Sequence, residues 1–308
     1  MEIFSMVLIV VGLVLFETIS SIDNAIINAE VLSTMGQKAR KWFLLWGILF
    51  AVFLVRGLLP LLIIWATNPS LGIVGAFTAT FSSDPLVVDA IEKSAPILLA
   101  GGGLFLVFLF FHWLFLETKN FGLRHEKFFA RQGIWFYAVV SILLAGIVWK
   151  AIKVNPLMAF GAVIGSTVFF ITHGFKQNAE KAEEEMIHNK TSMSDWSKIM
   201  YLEVIDMTFS IDGVLGAFAF TLSVPLILIG NGIGAIVVRQ LTVGNVERIK
   251  KYKYLKNGAM YSILCLGTVM LLHAFGYHVP EWVSPVLTIG VVLFFFMRSK
   301  REMNVLPA

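Results

Sequence analysis

Apolar stretches long enough to cross a lipid bilayer recur from one end of this chain to the other. Hydrophobic residues make up 57% of the 308 residues and charged residues only 14%, and a transmembrane helix needs about 20 mostly apolar residues. We place such helices at 4–32, 42–67, 95–116, 134–153, 156–175, 198–222, 224–243, 259–277 and 283–297. The sequence therefore predicts an all-α, polytopic membrane protein with about nine transmembrane helices.

Basic residues concentrate in alternate loops. They follow the first, third, fifth and seventh stretches and also the last one, whereas the turns at 223–225 and 278–282 contain none. Loops rich in Lys and Arg stay on the cytoplasmic side of a membrane. The pattern predicts a multi-pass protein of a cell inner or plasma membrane, with its N-terminus outside and its C-terminus in the cytoplasm.

A charged segment divides the chain into two halves. Residues 176–197 mix lysines with glutamates, and we interpret them as a solvated cytoplasmic linker. This linker separates a first transmembrane half, 1–175, from a second transmembrane half, 198–308.

The same short motif occurs in an apolar stretch of each half. "FETISSIDNAI" begins at Phe16, and "YLEVIDMTFSIDGVL" begins at Tyr201. When the two Ser-Ile-Asp triplets are aligned, Glu17 falls on Asp206 with identical spacing. The first stretch runs from outside to inside and the sixth runs the opposite way. The motifs therefore predict an inverted repeat, the architecture of many secondary transporters, with a site near the membrane midplane.

Carboxylates are expensive inside a membrane, at about 2.5–3.5 kcal/mol each on insertion scales. The two motifs place five of them in predicted spans: Glu17, Asp23, Glu203, Asp206 and Asp212. Arg56 and Arg239, each in the span after a motif, are predicted counter-charges for two of the five. The surplus must be protonated, hydrated or matched by a cation.

The donor atoms of the motifs favour a hard divalent cation. Carboxylate, hydroxyl and amide oxygens suit Mn, Mg and Ca, and neither motif contains Cys or His. The candidate metal ligands are Glu17, Ser21, Asp23, Asn24, Glu203, Asp206, Ser210 and Asp212. His173, at the predicted cytoplasmic end of the fifth span, is a candidate accessory residue.

One straight helix does not aim all of these oxygens at a single ion. At about 100° per residue, Asp23 points about 120° away from Glu17. By the same count, Asp212 lies opposite Glu203 on the helix. Either each helix is interrupted near its Ser-Ile-Asp triplet, which Gly213 favours in the second motif, or the far acids have separate roles.

The motif residues resemble the TerC-like family of integral membrane proteins, within the LysE-type transporter superfamily. The residues that match the family pattern are Glu17, Ser21, Asp23 and Asn24 in the first motif and Glu203, Asp206, Phe209 and Asp212 in the second. The resemblance covers nearly the whole chain. It implies metal-ion export, with manganese as the cargo.

We therefore expect a transporter that exports divalent metal ions in exchange for protons, and not an enzyme. No fixed cofactor is expected. The expected partners are the transported ion (Mn, with Ca or Mg as alternatives), protons and membrane lipid, without nucleic acid. Two other functions stay open: an intramembrane aspartyl protease, in which two carboxylates share one proton, and a membrane scaffold protein. The sequence fixes neither the coupling stoichiometry nor the oligomeric state.

Overall fold

The computed structural model describes residues 3–47, 85–119, 122–187 and 194–305, together with a few isolated positions between 58 and 75. At some helical positions it describes the backbone alone. The described residues form eleven α-helices: α1 Ile3–Ser20, α2 Ile22–Ser33, α3 Gln37–Trp42, α4 Pro85–Leu116, α5 Arg124–Ala130, α6 Phe136–Val154, α7 Pro156–Ile187, α8 Asp195–Ala217, α9 Val224–Lys250, α10 Leu255–Ala274 and α11 Val283–Val305.

Six of the described helices are long and apolar enough to cross a membrane: α1, α4, α6, α7, α10 and α11. The second-motif helix α8 is not among them, because charged residues such as Glu203 and Asp206 interrupt its apolar sequence. The described part of helix α9 contributes a shorter apolar segment, Val224–Val238. The prediction of an all-α polytopic membrane protein is confirmed, whereas the count of nine spans is not. Most of the predicted span 42–67 lies outside the described residues.

Local sequence signals set several helix ends. Helices α6 and α7 meet at Asn155, whose extended backbone breaks the helix and whose side-chain oxygen accepts a hydrogen bond from Leu157 N at 2.9 Å. Pro156 then opens α7, a position where its missing N–H costs nothing. Helix α7 does not end at 175, the predicted end of the span, but continues to Ile187.

Glycines bring two pairs of helices into close contact. A Cβ added at Gly161 of α7 would lie 2.5 Å from the carbonyl oxygen of Ile97 on α4. A Cβ added at Gly234 of α9 would lie 2.6 Å from the Cβ of Glu17 on α1. Both glycines belong to a Gly-x3-Gly sequence, "GAVIG" in α7 and "GNGIG" in α9. This spacing lets membrane helices pack backbone against backbone.

Aromatic side chains fill the core between α4, α6 and α7. Phe169 lies at its centre, with the ring centroids of Phe105 and Phe108 5.8 and 5.7 Å away. His112 and His173 also pack on Phe169, and their own ring centroids are 3.8 Å apart. The aromatic core therefore leads directly to a pair of histidines beside the second motif.

Candidate functional site

The two motif-bearing segments lie side by side over their whole length. The facing pairs are, in order, Gly12 and Phe220, Glu17 and Gly213, Asn28 and Asp206, Thr34 and Lys198, and Gly36 and Asp195. Residue numbers rise along α1 and α2 while they fall along α8, so the two segments are antiparallel. The predicted opposite direction of the motif helices is confirmed. The inverted repeat as a whole stays a prediction.

The first motif interrupts its helix. Helix α1 ends at Ser20 and α2 begins at Ile22, with Ser21 between them. The Ser21 hydroxyl donates to Glu17 Oε1 at 2.5 Å, and the Ser21 N–H donates to the Glu17 carbonyl oxygen at 3.1 Å. The interruption is therefore a local bend that couples these two predicted ligands.

Glu17 occupies the junction of three helices. Its side chain is only 1% exposed. A Cβ added at Gly213 of α8 would lie 2.9 Å from Glu17 Oε2, and Gly234 of α9 lies against its Cβ. The two glycines thus make the space in which a carboxylate from the first motif reaches the second motif.

The second motif does not interrupt its helix. Helix α8 is continuous from Asp195 to Ala217, so the interruption that Gly213 favoured is wrong for this half. The Ser210 hydroxyl donates to the backbone carbonyl of Asp206 at 2.6 Å, which satisfies it within the helix. Such a bond to the carbonyl one turn earlier slightly destabilises a helix and can bend it, yet α8 stays continuous. Gly213 serves close packing against Glu17 instead.

The acids of the second motif have separate partners. Asp206 Oδ1 accepts a hydrogen bond from Asn28 Nδ2 of α2 at 2.7 Å. Asp212 forms an ion pair with Lys176 of α7, and both side chains are 14% exposed. Separate roles, the second option of the sequence argument, therefore describe Asp206 and Asp212.

A polar cluster surrounds the ion pair of Asp212. The Oδ1 atom of Asp212 is buried and has no hydrogen-bond partner in the described part of the chain. His173 lies one turn before Lys176 on α7, is hydrogen-bonded to Gln177 at 3.1 Å and contacts the tilted ring of His112. The predicted accessory residue thus belongs to the surroundings of Asp212.

Several predicted site residues lie outside the described part of the structure. These are Arg56 and the side chains of Asp23, Asn24 and Arg239. Glu203 is buried, at 4% exposure, one turn before Asp206. Among the described residues, no three His, Cys, Asp or Glu side chains come together as a metal-binding group. The full ligand set therefore stays a prediction.

Sequence reasoning missed two residues of this site. Lys176 was assigned to the linker because it opens a charged segment, although it is only three residues after His173 at the end of an apolar stretch. A long lysine side chain can reach back along a helix, and that reach was the available signal. Asn28 could have been found because it lies one helical turn after the motif residue Asn24.

The fold and the paired acidic segments define a polytopic, all-α membrane protein. The chain belongs to the family described as "Protein of unknown function (DUF475)", which matches residues 22–304. It is similar to the uncharacterized membrane protein YceF of Bacillus subtilis (strain 168), with 31% identity over 95 residues that cover 31% of this chain and 37% of the relative.

Two Rickettsia proteins are also similar. An uncharacterized membrane protein of Rickettsia felis (strain ATCC VR-1525 / URRWXCal2) is 26% identical over 108 residues, which cover 35% of this chain and 36% of that protein. The uncharacterized membrane protein RP786 of Rickettsia prowazekii (strain Madrid E) is 26% identical over 104 residues, 34% of this chain and 35% of that protein. No solved structure matches the chain.

The matches support a multi-pass membrane location. The matched segments span little more than a third of the length of these curated relatives. The resemblance to the TerC-like family, the transport of metal ions and the orientation of the termini are not confirmed by them.

Proposed function

We propose that this protein is a membrane carrier that exports divalent metal ions, with manganese as the preferred cargo, in exchange for protons. The observation that carries the proposal is the meeting of the two acidic motifs. Glu17 of the first motif faces Gly213 of the second, and Asn28 donates to Asp206. Oxygen ligands of this kind suit hard divalent ions. Many secondary transporters also hold their substrate at the interface between two transmembrane halves.

Lys176 supplies a built-in competitor for the transported ion. Its ammonium group neutralises Asp212 in the present conformation. A metal ion that arrives at Asp212 must displace this ammonium, and Lys176 returns when the ion leaves. The carboxylate is then matched by a positive charge at each stage, which limits the cost of charge inside the membrane.

Protons are suited to be the counter-transported ions, because the sequence has five acids in the two motifs and two arginines in the spans that follow them. An empty and dry site does not keep all of its carboxylates ionised, so proton uptake neutralises some of them, and a bound divalent cation releases those protons. His112 and His173, whose rings are in contact near Lys176, are candidates to pass protons to and from this region.

Manganese content of cells tests the cargo. Cells that lack their other manganese exporters should accumulate less manganese when they express this protein. Glu17→Gln and Asp206→Asn should each abolish the fall in manganese content, because each removes a carboxylate from the contact between the two motifs. Glu281→Gln, which changes an exposed residue, should leave the fall intact. Unchanged manganese with lowered copper or zinc would contradict the choice of cargo.

Proteoliposomes test the coupling. Purified protein in vesicles with an internal pH-sensitive dye should move protons opposite to added manganese. The same vesicles carrying Asp212→Asn should show neither flux, since that variant keeps the shape of the side chain but loses the titrating group. Manganese flux without proton movement would refute exchange while leaving metal transport intact.

The aspartyl protease alternative requires two carboxylates close enough to share a proton. Asp206 and Asp212 instead contact different helices, through Asn28 and Lys176. This arrangement favours a carrier over a protease.

A further inference from the structure

A cavity of about 270 Å³ lies where α4 ends and α10 begins. Among the described residues, three lysines line it, Lys119, Lys253 and Lys256, together with one carboxylate, Glu117, and the indole of Trp113. None of these residues belongs to the acidic motifs. The lining therefore carries an excess of positive charge that the proposed transport does not use.

The cavity lies at the edge of the membrane-spanning region. The candidate span in α4 ends at Leu116, and that in α10 begins at Leu255. Lysine and tryptophan at such ends are typical of the headgroup level of a bilayer. A basic pocket between helix ends at this depth is open both to lipid headgroups and to solutes in water.

The lysines are held in place by the lining itself. The Lys119 ammonium donates to the backbone carbonyl of Trp113 and lies 3.6 Å from the centre of its ring. Lys256 Nζ lies 2.7 Å from Glu117 Oε2, and both side chains are partly exposed, at 40% and 32%. Two ammonium groups are thus fixed on the cavity wall before any ligand arrives.

Lys119 holds its ammonium group in a partly buried place. Burial is the main cause that lowers the pKa of Lys119 to about 8; the nearby charge of Lys256 acts in the same direction, and Glu117 and Glu126 act against it. Glu126 Oε2 accepts hydrogen bonds from Leu123 N and Asn257 Nδ2 at 2.6 and 2.8 Å, which hold this carboxylate away from the cavity lining. An anion in the cavity would place a negative charge beside Lys119.

We propose that this cavity binds a phosphate-bearing anion, through Lys119, Lys253 and Lys256 at the N-terminal end of α10. The positive end of the α10 dipole points toward the same place, which favours an anion further. The phosphate can belong to the headgroup of an anionic lipid or to a soluble phosphate. The two sources share this chemistry, and the experiment distinguishes them.

Native mass spectrometry and calorimetry on the full-length protein test the proposal. The protein in neutral detergent is mixed with phosphatidylglycerol or with zwitterionic phosphatidylcholine, and a separate titration uses inorganic phosphate. Removal of Lys119 and Lys256 together, as K119Q/K256Q, should weaken binding of the anion by about fivefold for each lysine. Glu117→Gln should strengthen it, because that change removes the one carboxylate that the described residues place in the lining.

The opposite effects of these variants separate binding from folding. The exposed Lys153, which does not line the cavity, provides the matched control K153Q and should bind as the unchanged protein does. Selective retention of phosphatidylglycerol that follows this order supports a lipid ligand. The same order for inorganic phosphate, without selectivity between the lipids, supports a soluble ligand. Equal retention by all variants, or a Glu117→Gln variant that binds no more tightly, overturns the proposal.

Discussion

The contact between α4 and α7 yields the most direct stability prediction, through Gly161→Ala. The added Cβ would lie 2.5 Å from the carbonyl oxygen of Ile97, whereas ordinary contact begins at 3.4 Å. The two helices must therefore separate locally by roughly 0.9 Å, the difference between these distances, since the obstacle is backbone and has no rotamer to change.

The expected cost follows from two opposing effects. Overpacking of a close contact costs about 1–3 kcal/mol, and we expect the upper part of that range because a backbone atom is in the way. Alanine gains up to about 1 kcal/mol over glycine in a helix interior, which offsets part of the loss. The net expectation is a loss of about 2 kcal/mol in the free energy of unfolding.

Gly174→Ala is the matched control, because Gly174 lies on the same helix and an added Cβ there meets nothing within 4 Å. The assay is reversible unfolding by sodium dodecyl sulfate in mixed micelles, followed by far-ultraviolet circular dichroism. Gly174→Ala should unfold at an equal or higher denaturant fraction than the unchanged protein, and Gly161→Ala at a lower one. A Gly161→Ala protein as stable as the control would refute the close backbone contact.

Three further predictions use the same purified protein. Glu126→Ala should lower the free energy of unfolding by about 2–3 kcal/mol, because the buried side-chain amide of Asn257 and the first turn of α5 lose their charged acceptor. Glu281→Ala, which changes an exposed residue, should alter the free energy of unfolding little. Equal effects of the two variants would count against a structural role of Glu126. Burial lowers the pKa of Lys119 to about 8 from its ordinary 10.5. Between these two pH values the folded state therefore binds fewer protons than the unfolded state. The stability of the fold should rise with pH across that window. Lys119→Gln should remove this rise, as unfolding midpoints at pH 8 and 9.5 would reveal, and an unchanged slope would contradict it. Lys176→Gln should let manganese bind at lower concentration, because the competing ammonium is gone; a higher manganese requirement in the proteoliposome assay would mean that Lys176 does not compete.

The all-α membrane class and the opposite direction of the two motif helices could be predicted because their signals are local. Apolar length identifies a membrane helix, and the placement of basic loops gives its direction. The facing of Glu17 and the second motif follows from the repeat of one spacing in both halves. These parts of the site required no knowledge of how neighbouring helices rotate.

The partners of Asp206 and Asp212 depend on how each neighbouring helix is rotated about its axis and packed. No local sequence pattern gives that rotation. Lys176 reaches Asp212 because α7 is held in one orientation by its close contact with α4. Only the first motif bends, although both contain the same Ser-Ile-Asp triplet. The Ser21 hydroxyl bonds the side chain of Glu17, whereas the Ser210 hydroxyl bonds the backbone carbonyl of Asp206. The triplet itself therefore could not separate the two halves.

Helix α7 is unbroken, and it therefore links the site mechanically to a segment beyond the hydrocarbon core of the membrane. Its 32 residues make a rod of about 48 Å, whereas the hydrocarbon core of a bilayer is about 30 Å thick. Lys176 therefore belongs to the same continuous helix as the segment that ends at Ile187. That segment lies beyond the apolar part of the helix. A force that tilts this end of the helix would move the ammonium group of Lys176 relative to Asp212, without any change in the acidic motifs themselves.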